Sequence, residues 1–168
     1  VEDPLSNRFD RYSLRYANSW LEARLGDHAF SLSPLLAMNE SGRGLEATVR
    51  AGPFAATGLY FRDPWTTGGP AAYGGGVSYA LPHPADAELT LYQAALNVFS
   101  AQDAQPAFGL WQRFDPSAAL TLELEAAAQP DEAGTVHPAV YAQAGGEAGR
   151  AFYRGQYLRA WPGFEANY

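Results

Sequence analysis

Residues 44–61, GLEATVRAGPFAATGLYF, alternate apolar and polar side chains on both sides of a two-residue Gly52-Pro53 turn. Alternation with period two marks strands that face two different environments, and two such runs around a tight turn read as an antiparallel hairpin. The division is regular. Leu45, Ala47, Val49 and Ala51 oppose Glu46, Thr48 and Arg50, and Leu21, Ala23 and Leu25 oppose Glu22 and Arg24. Leu120, Leu122, Leu124 and Ala126 oppose Thr121, Glu123 and Glu125, while Ala87, Leu89 and Leu91 oppose Glu88 and Thr90. Helical spacing is not sustained over any useful window, so the chain is all-β.

Strands are predicted near 8–17, 20–26, 28–34, 44–52, 54–62, 72–81, 86–96, 106–114, 118–128, 137–145 and 148–160. Tight turns at Gly52-Pro53, around Pro82 to Asp86, at Asp115-Pro116-Ser117 and at Gly145-Gly146-Glu147 interleave with longer links, PLLAMNESGR, RDPWTTGGPAA, VFSAQDAQP and AAQPDEAGTV. That rhythm is the mark of an antiparallel up-and-down meander with one plain rim and one elaborate rim. The expected fold is a single domain over 1–168, a closed β-barrel of about 8–12 strands. Gly74-Gly75-Gly76 lacks the helix and lysine of a phosphate loop and reads as a bend or a close backbone approach within a strand.

Alternation does not say which face meets water, but side-chain volume bears on it. The apolar face mixes Leu with Ala47, Ala51, Ala56, Gly58, Ala87 and Ala142. Small residues would leave voids in a barrel with an apolar interior, whereas acyl chains fill the same surface from outside. On that reading the polar face lines a lumen in which Arg15, Arg24, Arg50 and Arg154 meet Glu22, Glu46, Glu88 and Glu123. Arginine suits such pairing because its planar fork engages carboxylates with two hydrogen bonds and keeps its charge. The alternative is a soluble, secreted or cell-surface β-sandwich whose Glu, Thr and Arg face is simply solvated. It would bind carbohydrate through Trp65 in the loop RDPWTTGGP and nearby Tyr73. A third reading is a β-rich subunit that adds strands edge to edge in an envelope assembly, with exposed outermost strands as its signature.

Composition narrows the setting. Charged residues make up 17% of the chain, against ~25% in ordinary soluble domains, and aromatics make up 14%. A formal charge of -7 would repel a nucleic acid, so none is expected as a partner. All 11 cationic side chains are Arg, and Lys, Ile and Cys are absent, as codon bias in a GC-rich genome would produce. Without cysteine there is no disulfide framework and no thiolate metal site. No apolar run reaches the ~18 residues of a spanning helix, so a membrane would have to be crossed by strands. The chain opens on Val1 without a signal-type apolar segment, which fits a processed protein or an excerpt of a longer one.

Tyr12, Tyr16, Trp20, Phe54, Tyr60, Phe61, Tyr79, Phe108, Trp111, Tyr153, Tyr157 and Trp161 gather toward strand ends. Tyr12, Trp20, Tyr60, Tyr79, Trp111 and Trp161 are the candidates for an interfacial aromatic girdle. The run from Trp20 to Phe61, with its LGD turn, aromatic strand, loop, RGLE strand and GPF hairpin, resembles strand pairs of bacterial outer-membrane β-barrels, porin-like or usher-like. The resemblance covers about a quarter of the chain. It implies a bacterial envelope location, outer-membrane lipid as the principal partner with envelope proteins or glycans as further ones, and a transport, secretion or anchoring role without catalytic residues. Tyr168 with Phe164 in phase fits the aromatic ending of such barrels, but Pro162 interrupts that strand and the predicted strand total is odd, which would suit a segment of a larger barrel.

No catalytic constellation is legible, so the chain is read as a non-enzyme without cofactor. His28, His83 and His137 lie in separate neighbourhoods without the HxH or HxxxH spacing of a metal site. Ser31 and Ser33 near His28 lack a nucleophile elbow. Glu123 and Glu125 have the spacing of a glycosidase pair, but neighbours on one strand face reach that spacing by accident.

Overall fold

In a computed structural model the described residues are 12–63, 71–82, 91–101, 104–117 and 119–165. They form ten strands: β1 (Ser13–Ala17), β2 (Leu21–Phe30), β3 (Glu40–Ala51), β4 (Phe54–Arg62), β5 (Ala71–Pro82), β6 (Leu91–Ala101), β7 (Ala107–Ser117), β8 (Leu120–Pro130), β9 (Val136–Ala148) and β10 (Ala151–Ala160). Each pairs antiparallel with the next in chain order, so the sheet is the expected up-and-down meander, although the predicted turn residues Asp115–Ser117 and Gly145–Glu147 lie within β7 and β9. The expected closure is not formed. Among the described residues the sheet ends at β1 and β10 with no ladder between them, and β1 is exposed along its whole length.

The two strands predicted at 20–26 and 28–34 are one strand, β2, and this turns the odd total into an even one. Leu25-Gly26-Asp27 reads as a turn, yet pairing with β3 continues through Gly26↔Gly44 and Asp27↔Arg43. Gly26 has φ of +105°, a conformation that lets glycine absorb the irregularity without ending the ladder. Leu91 is also corrected: it lies across from Asp115 on the polar side, so the exposed apolar residues of β6 are Leu96 and Val98. β6 carries apolar residues on both faces, which makes its phase ambiguous from sequence. Pro82, expected to open a turn, ends β5 instead; the rest of that turn, 83–86, and the first half of strand 86–96 lie outside the described residues, as do His83, Trp65, Glu88 and Tyr168.

Register aligns one face as Val49, Ala56, Val77, Leu96, Leu110 and Ala126 across β3 to β8. Among the described residues no second sheet covers it: Leu96 is 66% exposed, and Leu14, Leu25, Leu45, Val77 and Leu124 are exposed with it. The opposite face carries Glu22, Thr48, Thr57, Asn97, Glu125 and Tyr141, and its centre is buried.

What covers the polar face is the segment between β2 and β3, residues 31–39. It closes on itself through Leu32 N–H to the Ala37 carbonyl (2.8 Å) and Ala37 N–H to the Ser33 carbonyl (3.2 Å). Leu35 and Leu36 are completely buried. The tip reaches Glu125 on β8, where Ser33 Oγ donates at 2.5 Å and Leu35 N–H at 2.8 Å. In a flat sheet β3 and β8 would lie about 24 Å apart at ~4.8 Å per strand, beyond the ~14 Å that half of a nine-residue loop can span. The sheet therefore curls around the loop, with its polar face concave.

The interior has two storeys. At the long-link rim it is apolar: the Phe30, Phe61 and Phe99 rings lie in sequence, with centroids 4.6 and 6.4 Å apart, beside Leu35 and Leu36. Glycines make room for these rings; a Cβ on Gly42 would stand 2.7 Å from Phe61, and one on Gly74 would stand 3.0 Å from Phe99. The expected close approach at Gly74-Gly75-Gly76 is thus observed. Toward the short-turn rim the same face becomes polar.

Candidate functional site

The polar storey is built by alternation. Residues at even positions of β2 and β3 and odd positions of β7 and β8 share the concave face, so charges far apart in sequence line one space. Glu22 is its best-defined centre. Its carboxylate receives Arg15 Nη2 at 2.8 Å, Arg24 Nη2 at 2.9 Å and Arg50 Nη2 at 3.1 Å, from β1, β2 and β3. Four of the eight predicted lumen residues therefore form one cluster.

The remaining four divide. Glu46 lies 3.7 Å from His28 Nε2, and Glu123 lies 3.9 Å from Arg113 Nη1. Arg154 donates through Nε to Gln143 Oε1 at 2.9 Å, and Glu88 lies outside the described residues. Arg113 and Gln143 were not singled out from the pattern as interior groups. Arg113 grips Asp115 with Nε and Nη2 at 3.1 and 3.2 Å. Gln143 also accepts from Tyr141 Oη at 2.8 Å. Glu125, 3% exposed, anchors the inserted loop. Arg113 and Gln143 occupy inward positions of their strands, so alternation carried the signal; only the depth of Glu125 depended on the loop.

The outward aromatics gather near both rims. Tyr60 and Tyr73 face each other near the long-link end of β4 and β5. Phe54 with Tyr79 and Tyr92 with Phe114 form ring pairs near the other end, with centroids 5.1 and 5.2 Å apart. Leu, Val, Ala and Gly, together with Gln112 beside Ala94, fill the band between them. Tyr73 is thus a strand residue and not a loop platform. Tyr12 stacks under Arg43, Trp20 sits at the β1–β2 turn, and Trp161 follows β10 beneath Arg159. Trp111 is corrected: it pairs with Glu125 and Ala95 on the concave face, as Phe61 does with Gly44 and Ala72. Both follow from strand phase, which proximity to a strand end does not reveal.

The hollows of the concave face adjoin. One between β3 and β6 shares Thr57 and Ser78 with a central one, and another along β7 to β10 shares Pro34 and Glu123 with it. Among the described residues no three His, Asp or Glu side chains gather as a metal site. No protein-family model, curated protein or solved structure matches the chain.

Proposed function

We propose that this chain forms the wall of an outer-membrane-type β-barrel in a bacterial envelope, its outer face against lipid and its interior closed at one storey by the 31–39 loop. The observation that carries this reading is the sidedness of the sheet: aliphatic and aromatic residues stand exposed across the middle of the convex face, whose charges Asp27, Arg43, Arg62 and Arg159 lie at the rim, while Arg and Glu side chains line the concave face. In water that arrangement would leave a large apolar surface unburied, at about 25 cal/mol per Å². In lipid it costs nothing, and the outward aromatics near both rims match the two headgroup levels. Most strands are 9–13 residues long, enough to cross a bilayer at a tilt. Short turns usually face the periplasm, so the polar storey opens there and the loop lies toward the cell exterior. The role is anchoring, or transport gated by displacement of that loop.

The absence of cysteine makes the test clean. Single cysteines replacing Val77, Leu96, Thr57 or Gln143 are spin-labelled in liposomes and exposed to oxygen and to a water-soluble nickel complex. Labels at 77 and 96 are expected to meet oxygen, and those at 57 and 143 nickel. A chain that folds in buffer without detergent and buries 77 and 96 would sink the reading.

The unpaired edges favour a second reading in the same setting, in which the chain is one arc of an envelope assembly completed by neighbouring strands. Light scattering of the detergent-folded protein tests it, since a strictly monomeric mass with closed edges removes the need for neighbours.

A further inference from the structure

Beneath the inserted loop, the centre of the concave face is hollow. Its floor is Gly76 on β5 and Ala95 on β6, which stand across from the larger Asn97 and Trp111. A space of about 340 Å³ remains between these residues, with residues 31–34 as its roof and Glu46 and Glu123 at its sides. That volume is at the small end for ligand sites, ~300–1,000 Å³, and suits one ring rather than a chain of them.

Asn97 is only 7% exposed, and its Nδ2 has no hydrogen-bond acceptor although the side chain lines this space. A buried amide donor without an acceptor is costly, which marks it as a group awaiting a partner; the atom is covered while the hollow is empty, so a ligand meets it by a turn of the amide about its broad χ2 torsion. We propose that this hollow binds a small neutral polyhydroxylated ligand, a single sugar ring. The donors and acceptors select that class. Asn97 Nδ2 requires an acceptor, which an ammonium or guanidinium ligand lacks, while the Glu46 and Glu123 carboxylates require donors. A hydroxyl is both at once. The carboxylates already have cationic or cation-capable neighbours in His28 and Arg113, so the site does not call for a charged ligand. Trp111 supplies an apolar indole wall for the C–H face of the ring. The site is on the inner face and does not depend on what covers the outer one.

The test titrates the folded full-length chain with D-glucose, D-galactose and N-acetyl-D-glucosamine, and with tetramethylammonium, which has no acceptor, as the cationic probe. Binding is read by tryptophan fluorescence and by saturation-transfer NMR. At least one sugar is expected to saturate in the millimolar range, roughly 1–10 mM. Asn97→Asp, which replaces the free donor at constant size, is expected to weaken it about tenfold. Ala95→Leu fills the floor while keeping every polar group, and is expected to abolish binding, with far-UV circular dichroism reporting an intact sheet. The proposal is overturned if no sugar saturates below about 100 mM, if tetramethylammonium binds in preference, or if Ala95→Leu binds as wild type does. Should Asn97→Asp not fold, the filled-floor variant alone decides.

Discussion

Glu125 sits two positions from Glu123 on the same strand face, and nothing in the string LELEA separates their roles. Packing separates them: Glu123 lies beside Arg113 in the polar storey, whereas Glu125 is covered by the loop and receives two of its donors. Glu125→Ala would leave the Leu35 N–H buried without an acceptor, so a loss of about 1–3 kcal/mol is expected. Limited proteolysis should cut the loop sooner in this variant, and unchanged cleavage and stability would refute the anchor. Glu22 poses the opposite case, one carboxylate among three guanidiniums on a partly solvated surface. In Glu22→Gln the arginines repel one another, so the melting temperature should fall in low salt and recover as salt screens them. A deficit that does not change with salt would mean that the cluster acts through packing alone.

At the scale of elements, the sequence made the meander and the sidedness of β2, β3 and β8 legible, because residues 21–25, 45–51 and 120–126 of those strands alternate Leu, Ala or Val with Glu, Thr or Arg. It failed where alternation lapses. Gly26 looked like a turn because glycine permits one, and only the continued ladder to Gly44 shows that β2 runs through it. Trp111 and Leu91 lie on strands with apolar residues on both faces, so their direction is set by register with neighbours. The loop is the hardest case. PLLAMN reads as a surface link with stray leucines, and its burial depends on Gly74 of β5 and Gly109 of β7, which leave room for Leu32 and Leu36, and on Phe30, Phe61 and Phe99 of β2, β4 and β6. Replacing 33–37 with a short Gly-Ser turn should keep the strand content, since the ladders do not pass through the loop, and should lower thermal stability because Leu35 and Leu36 contribute about 1.5–3 kcal/mol each. In a planar bilayer the same variant should gain conductance that the wild type lacks. A variant that stays silent would show that the loop is not what closes the interior.

For the whole molecule, the outer edges set the strongest demand. β10 bonds to β9 along one side, and its other side carries backbone groups with no strand partner among the described residues. In water such an edge is tolerable, since solvent satisfies it. In a bilayer core each unsatisfied N–H or C=O costs several kcal/mol, so an open edge and a lipid environment cannot coexist. The proposed membrane setting thus requires the edge of β10 to be paired once the protein is inserted, by β1 or by a neighbouring strand. Hydrogen exchange makes the requirement measurable: the half of the β10 amides that do not bond to β9 should exchange quickly under conditions where the sheet stands open, and slowly in liposomes. Protection limited to the alternate amides that bond to β9, in protein shown to be folded and lipid-associated, would mean that water reaches this edge. The sheet would then lie outside the bilayer, and its apolar face would need a protein partner instead of lipid.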